Sequence, residues 1–272
     1  MLSINIGPLA IPTQLALVYL GLFCAWLTGW WLGRKRQANP EAALFNILLI
    51  GVLAARIGFV SSYAELYASN WLTALDIRDG GFQPLAGMLA GLVAAIWYFW
   101  RKPLLRMPLA TGLTVGVLVS GMGLAVLHAM QQGQKMPELA LRDISGAPVN
   151  LHDYLDQPVV INLWATWCPP CRREMPALQQ AQQQNPDIHF LFVNQGESQQ
   201  QVEQFFRQQN IQLDNALLDS GARVGQAVSS LSLPTTLFYD ASGNLQNTHL
   251  GELSSASLQH ALRKIQPSNH KD

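Results

Sequence analysis

Apolar and polar positions along this 272-residue chain follow two different rhythms. From Thr13 to Gly33 there is no charge in 21 positions, and the run ends at Arg34-Lys35-Arg36. At about 1.5 Å per residue, such a run can cross the roughly 30 Å apolar core of a bilayer as a helix. A second run extends from about Ala42 to Val60, interrupted by Arg56. A third runs from Pro84 to Trp100 and closes on Arg101-Lys102 and Arg106, and a fourth from Met107 to Met130 carries only His128 as a titratable group.

After residue 130 the runs shorten and alternate with polar faces. Val159–Trp164 and His189–Asn194 are compact and β-branched or aromatic, the pattern of buried strands. Ala216–Leu218 reads as a short strand, and Thr235–Tyr239 and Leu245–Leu250 as an antiparallel pair around Asp240-Ala241-Ser242-Gly243. Between them, residues 170–184 read as a helix that Pro176 should kink, and 198–209 as a helix with Val202, Phe205 and Phe206 at core spacing. Shorter helices are expected over 222–229 and 255–265, and a turn at Ile144-Ser145-Gly146-Ala147-Pro148 divides 139–156. The pattern therefore predicts a four-helix membrane region over residues 1–130, a polar linker over 131–138, an α/β domain over 139–267 with a mixed sheet covered on both faces, and a tail at 268–272.

Charge adds an orientation. The zero formal net charge hides eight Lys/Arg against four Asp/Glu in residues 1–130, and nine against thirteen in 131–272. With four spans, both basic clusters fall on one side, the cytoplasmic one. The amino terminus, the loop 61–83 and everything after 130 then fall outside. Nothing basic precedes the first run, so it reads as an anchor rather than a cleaved signal peptide. Tyr63, Tyr67 and Trp71 on one side, and Trp30, Trp31, Trp97 and Trp100 towards the other, fit interfacial belts. There is no basic stripe interleaved with aromatics, which argues against a nucleic-acid partner.

Candidate chemistry concentrates in Trp164-Ala165-Thr166-Trp167-Cys168-Pro169-Pro170-Cys171. A strand that runs into Cys-x-x-Cys at a helix start sets the first sulfur among unpaired amides and the positive end of the helix dipole, which favour thiolate. The second thiol is then close enough to attack a mixed disulfide on the first. A zinc site would need two more ligands, and the only other cysteine, Cys24, stands in an apolar run. A purely structural disulfide would close too small a loop to matter. The dithiol is thus its own redox group, with no separate cofactor and no metal. Cys24 reads as a small apolar residue and His128 as an interfacial one. Arg56 lies about one turn from the outer end of its span, where it can snorkel, although ionisable groups within spans are also often functional.

Two family resemblances bear on these readings. Ile6-Gly7-Pro8-Leu9-Ala10-Ile11, the segment Ala55-Arg56-Ile57-Gly58-Phe59-Val60 with Tyr63, and Asp79-Gly80-Gly81-Phe82 followed by Ala86-Gly87 resemble prolipoprotein diacylglyceryl transferases over about residues 5–90. Leu85 stands where that family has its functional histidine, and Pro84 where it has phenylalanine. A later arginine-asparagine signature is absent, and four spans replace about seven. The resemblance therefore implies a truncated relative without lipid-transfer activity.

The second is more specific. Strands alternating with helices around an early Cys-x-x-Cys read as a thioredoxin fold. Asn162 to Pro176 (NLWATWCPPCRREMP), together with Leu233-Pro234-Thr235-Thr236, closely resembles the TlpA/ResA-type thioredoxin-like thiol-disulfide oxidoreductases over residues 136–267. That resemblance implies Cys168 as the exposed nucleophile, Cys171 as resolving thiol, Glu174 as an acid that tunes the dithiol, and Pro234 as a cis-proline that presents backbone to substrate beside Leu233. Trp167 is expected to shield the dithiol. Asn162 occupies the position of a buried acid in thioredoxins themselves, which leaves Glu174 or water to move the proton of Cys171. The whole implies a multi-pass protein of the bacterial inner membrane with a periplasmic redox domain. Its expected partners are periplasmic proteins with cysteines, the lipid bilayer and a DsbD-like membrane electron donor. The alternatives are an oxidase using the same dithiol, a lipid-modifying transferase with an accessory thioredoxin module, and a docking domain without catalysis.

Overall fold

A computed structural model describes residues 3–6, 9–35, 38–68, 71–131, 133–230 and 232–266. Gly7 and Pro8 of the opening motif, Arg36 of the first basic cluster, residue 267 and the 268–272 tail lie outside them. The chain divides into two compact units: residues 13–77 and 81–130 form one, and residues from 131 onward form the body of the other.

A short antiparallel hairpin that the apolar pattern did not signal, β1 (Ser3–Ile6) and β2 (Leu9–Pro12), precedes the helices, with Ile4 opposite Ile11. The helical unit then holds α1 (Thr13–Lys35), α2 (Glu41–Ser62), the single turn α3 (Ala64–Tyr67), α4 (Pro84–Arg101) and α5 (Arg106–Gln131). The four long helices are long and apolar enough to cross a membrane. They pack through small residues. A Cβ added at Gly87 of α4 would lie 2.8 Å from the Gly51 carbonyl oxygen and 3.0 Å from Ala55 Cβ, both on α2. One added at Gly116 of α5 would lie 2.8 Å from Ala25 Cβ on α1. Small residues at these positions let the helix backbones approach closely enough for dispersion to hold them. Arg56 does not snorkel: it is buried, and its guanidinium donates to the backbone carbonyls of Ala74, Asp76 and Gly81.

The second unit is a seven-stranded sheet. Its strands are β3 (Ala140–Asp143), β4 (Pro148–Asn150), β5 (Val159–Trp164), β6 (His189–Gln195), β7 (Ala216–Asp219), β8 (Thr235–Tyr239) and β9 (Leu245–Leu250), in the order β4-β3-β7-β6-β5-β8-β9. Strands β5, β6 and β7 run parallel, while β3 pairs β7 and β8 pairs β5 antiparallel, so the sheet is mixed. Alternation along β5 splits the core in two. Val160 and Trp164 join Phe190, Phe192 and Phe238 beneath α6 (Pro169–Gln184), α7 (Gln199–Gln209) and α9 (Ser255–Ile265). Val159, Ile161 and Leu163 join Leu191, Val193, Leu237 and Tyr239 on the other face, with Val224 of α8 (Arg223–Ala227).

Local chemistry sets the helix ends. Ser198 and Gln201 form a capping box at the start of α7, which stops at Asn210 in the left-handed region (φ 51°). Helix α8 is shorter than the expected 222–229, because Ala222 sits at φ 49° and cannot belong to it. Helix α6 continues through Pro176 to Gln184. Within the expected 131–138 linker, Lys135 pairs with Asn244 in an isolated β-bridge, and Met136 is buried with its N–H donated to the Gly243 carbonyl at 2.8 Å.

Candidate active site

Strand β5 is buried along its whole length and delivers the chain through Ala165, Thr166 and Trp167 to α6. Cys168 is the residue just before that helix, in extended conformation (φ −90°, ψ 106°), and its Sγ accepts from the Cys171 amide at 3.3 Å. Pro169 and Pro170 fill the first turn, where a backbone N–H would have no intrahelical partner. Cys168 and Cys171 are joined as a disulfide, with Cα atoms 5.3 Å apart, and both are buried, so Cys168 in the disulfide is not exposed as the resemblance implied. On reduction, the sulfur of Cys168 would face the Cys171 amide and the positive end of the α6 dipole, a setting that stabilises a thiolate.

One turn beyond Cys171, Glu174 is 1% exposed, although its neighbours in sequence, Arg172 and Arg173, are exposed. Its Oε1 accepts from Asn162 Nδ2 at 2.8 Å and its Oε2 from the Leu253 amide at 2.9 Å. Asn162 Nδ2 also donates to Thr236 Oγ1 at 3.0 Å, which ties the carboxyl to β8. Burial outweighs both hydrogen bonds and pushes the Glu174 carboxyl from 4.5 up to about 8. The carboxyl thus titrates close to an ordinary thiol, at about 8.5. Asn162 stands at the expected position on β5 and donates to the Glu174 carboxyl. Beside it Arg173 forms an exposed ion pair with Glu252 at 2.6 Å, and the Arg172 guanidinium lies over the Phe205 ring at 5.8 Å.

Of the other expected residues, Trp167 directly precedes Cys168, and Leu233 and Pro234 directly precede β8. Trp167 is 67% exposed, an apolar ring held out beside Cys168. Leu233 is half-buried between the two core clusters, and the Leu233–Pro234 peptide is cis. The Pro234 turn is braced by the Ser230 and Thr235 hydroxyls, 2.8 Å apart, and by Thr235 Oγ1 donating to the Ser232 carbonyl at 2.6 Å. Cys24 lies apart in α1 as a free thiol, and Arg56 and His128 belong to the helical unit. Among the described residues no three His, Cys, Asp or Glu side chains converge to hold a metal ion.

Sequence reading missed Glu197. This buried carboxylate follows β6 and accepts from the Thr166 amide at 2.7 Å, from the Thr166 hydroxyl, and from Asn194 Nδ2 at 2.7 Å. It fixes the backbone two residues before the nucleophile. Its only local signal was a charged residue directly after a buried strand, in Val193-Asn194-Gln195-Gly196-Glu197.

The chain was compared with known proteins. Residues 132–248 match the model of the AhpC/TSA family, and residues 2–127 match that of prolipoprotein diacylglyceryl transferase. The latter match reaches beyond the expected residues 5–90 into the fourth long helix. Thioredoxin-like protein YneN of Bacillus subtilis is 31% identical over 137 residues, spanning 49% of this chain and 79% of YneN. Thiol-disulfide oxidoreductase ResA of Geobacillus thermodenitrificans is 30% identical over 141 residues, spanning 51% of this chain and 80% of that protein. Among solved structures, a thioredoxin-family thiol:disulfide interchange protein from Chlorobium tepidum is similar, with 23% identity, a TM-score of 0.44, and coverage of 48% of this chain and 95% of its own. Through the unit that carries Cys168 and Cys171, the chain belongs to the thioredoxin-like thiol-disulfide oxidoreductases of the ResA type.

Proposed function

We propose that this protein is a membrane-anchored reductant of protein disulfides, working from the outer face of a bacterial inner membrane. The observation that carries the reading is the Cys168–Cys171 pair at the start of α6, with the buried Glu174 carboxyl one turn further along the same helix. In the reduced state the Cys168 thiolate attacks one sulfur of a partner disulfide, forming a mixed disulfide and releasing the other sulfur as a thiol once protonated. Cys171 then gives up its proton, attacks Cys168 Sγ and expels the second partner sulfur. Two electrons pass to the partner, and the Cys168–Cys171 disulfide is regenerated. Glu174, titrating at about 8, is matched to accept the proton of Cys171 and return it to the leaving sulfur. Trp167 and the backbone at Leu233 and Pro234 supply the surface on which an extended substrate rests.

Direction follows from the stabilisation of the reduced dithiol. Of the first-turn residues only Cys171 offers an amide to Cys168 Sγ, Pro169 and Pro170 having no N–H, and no histidine stands between the cysteines. A reduced state without strong stabilisation has a low potential. Such a reductant needs a steady electron supply, the role of a DsbD-like donor in the membrane. The four long helices and the basic residues at the ends of α1 and α4 support anchoring with the redox unit outside. Leu85 in place of the transferase histidine supports a structural rather than lipid-modifying membrane unit.

Equilibration with glutathione tests the direction. We expect a potential nearer thioredoxin's, about −270 mV, than that of a strong oxidant, about −120 mV, and a value above about −160 mV would make this protein an oxidase. In parallel, insulin reduction should be lost in Cys168→Ser. Activity that survives that change would remove the dithiol from the reaction.

A further inference from the structure

We infer that the loop between α3 and α4 is a lipid-binding pad, with Trp71, Leu72, Leu75 and Ile77 seated in the headgroup region of a bilayer. The described part of the loop holds two 3₁₀ turns, Trp71–Leu75 and Ile77–Asp79. Its four large apolar side chains are 70%, 55%, 72% and 62% exposed, a concentration that water disfavours. Beneath them, Arg56 satisfies the loop's backbone. Its Nε donates to the Ala74 carbonyl at 3.0 Å, Nη2 to Asp76 at 2.7 Å and Nη1 to Gly81 at 2.7 Å.

Those carbonyls therefore do not need water, which removes the main cost of sinking irregular backbone into an interface. The guanidinium in turn lies within 6.0 Å of the Phe59, Tyr67 and Phe82 rings. Gly81 must remain glycine for this seat: a Cβ there would lie 2.4 Å from the Phe59 ring and 2.8 Å from Arg56 Nη1. The transferase-like residues Arg56, Gly81 and Phe82 thus serve to shape the loop.

Lipid is the occupant because α2 ends at Ser62 and α4 begins at Pro84, so the loop emerges where two bilayer-length helices end. Indole rings favour that depth, where one edge is apolar and the other wet. The inference rests on the reading that α2 and α4 span a membrane.

The test uses the full chain in liposomes, with Cys24→Ala and the Cys168–Cys171 disulfide kept oxidised. A single cysteine at Leu75→Cys, or at the exposed Leu53→Cys in α2, carries an environment-sensitive fluorophore. The lipids carry nitroxide quenchers at the headgroup or in mid-chain. We expect blue-shifted emission from position 75 with strongest quenching at headgroup level, and from position 53 with strongest quenching in mid-chain. Quenching at 53 with water-like, unquenched emission at 75 would overturn the pad while leaving the span intact. No quenching at either position would overturn both. Arg56→Lys cannot serve three carbonyls in a fixed fork. It should shift the signal at 75 towards water and leave 53 unchanged, and an unaltered signal at 75 would take Arg56 out of the pad.

Discussion

The two units of this chain solve the same packing problem with opposite residues. Around the disulfide, the fully buried side chains are large: Trp164, Phe190, Phe192 and Phe238 fill one face of the sheet, and Trp164 stacks 5.6 Å from Phe206. In the helical unit many large residues are exposed, Phe23, Leu53, Val93 and Met122 among them, while glycine and alanine meet at several helix contacts. Water rewards the burial of area, at about 25 cal/mol per Å², and so selects bulk for an interior. Lipid gives no such reward and selects closeness. Under the proposed membrane anchoring, the difference teaches that the core residues of each unit suit the solvent outside it.

The comparison can be broken most severely from the redox side. Phe192→Ala removes a fully buried ring, and its expected cost of about 3–5 kcal/mol is a large share of the roughly 5–15 kcal/mol that holds a domain folded. Chemical denaturation of the full chain in detergent should show the redox unit melting early while the helical signal of the other unit persists. A single transition shifted as a whole would show that the units do not melt separately.

A second effect sharpens the contrast between the two buried ionisable groups, Glu174 and Arg56. The folded carboxyl of Glu174 titrates at about 8 and the free one at 4.5, so between these values the folded state binds more protons than the unfolded state. Stability therefore falls as pH rises through that window, by about 1.4 kcal/mol per pH unit at most. Glu174→Gln should flatten this slope in pH-dependent melting of the oxidised protein; an unchanged slope would mean that the carboxyl is not the titrating group. The smallest effect is expected from Gly87→Leu. Its new side chain meets the Gly51 carbonyl, and overpacking of this kind costs about 1–3 kcal/mol. The helical unit should lose thermal stability while insulin reduction is retained; loss of both would join the units.

Much of this was legible in the sequence because it depends on local pattern. The four long helices follow from charge-free runs, and β5, β6 and β8 from short apolar blocks. The Cys168–Cys171 pair at a helix start follows from spacing alone. What escaped, including the burial of Glu174 that the family resemblance had singled out, depends on residues far apart in the chain. Glu174 sits in an Arg-Arg-Glu run that reads equally well as a solvated face, and only the Leu253 amide, 79 positions away, and Asn162 show it to be interior. Glu197 and Thr166 are 31 positions apart, so their latch has no sequence period to announce it. Arg56 was visible as an anomaly, but its partners are carbonyls, which every residue carries and no sequence distinguishes.

The stitching of Lys135 and Met136 to the Asn244 turn has a consequence for release of the redox unit. A protease cuts a segment that it can draw out as several extended, unpaired residues. Lys135 is the one basic residue between α5 and β3, the natural point for a trypsin-like enzyme, and it is already taken up in β pairing with its neighbour Met136 buried. Cleavage at that point would first require peeling this edge from the sheet, so the stitch protects the link between the two units.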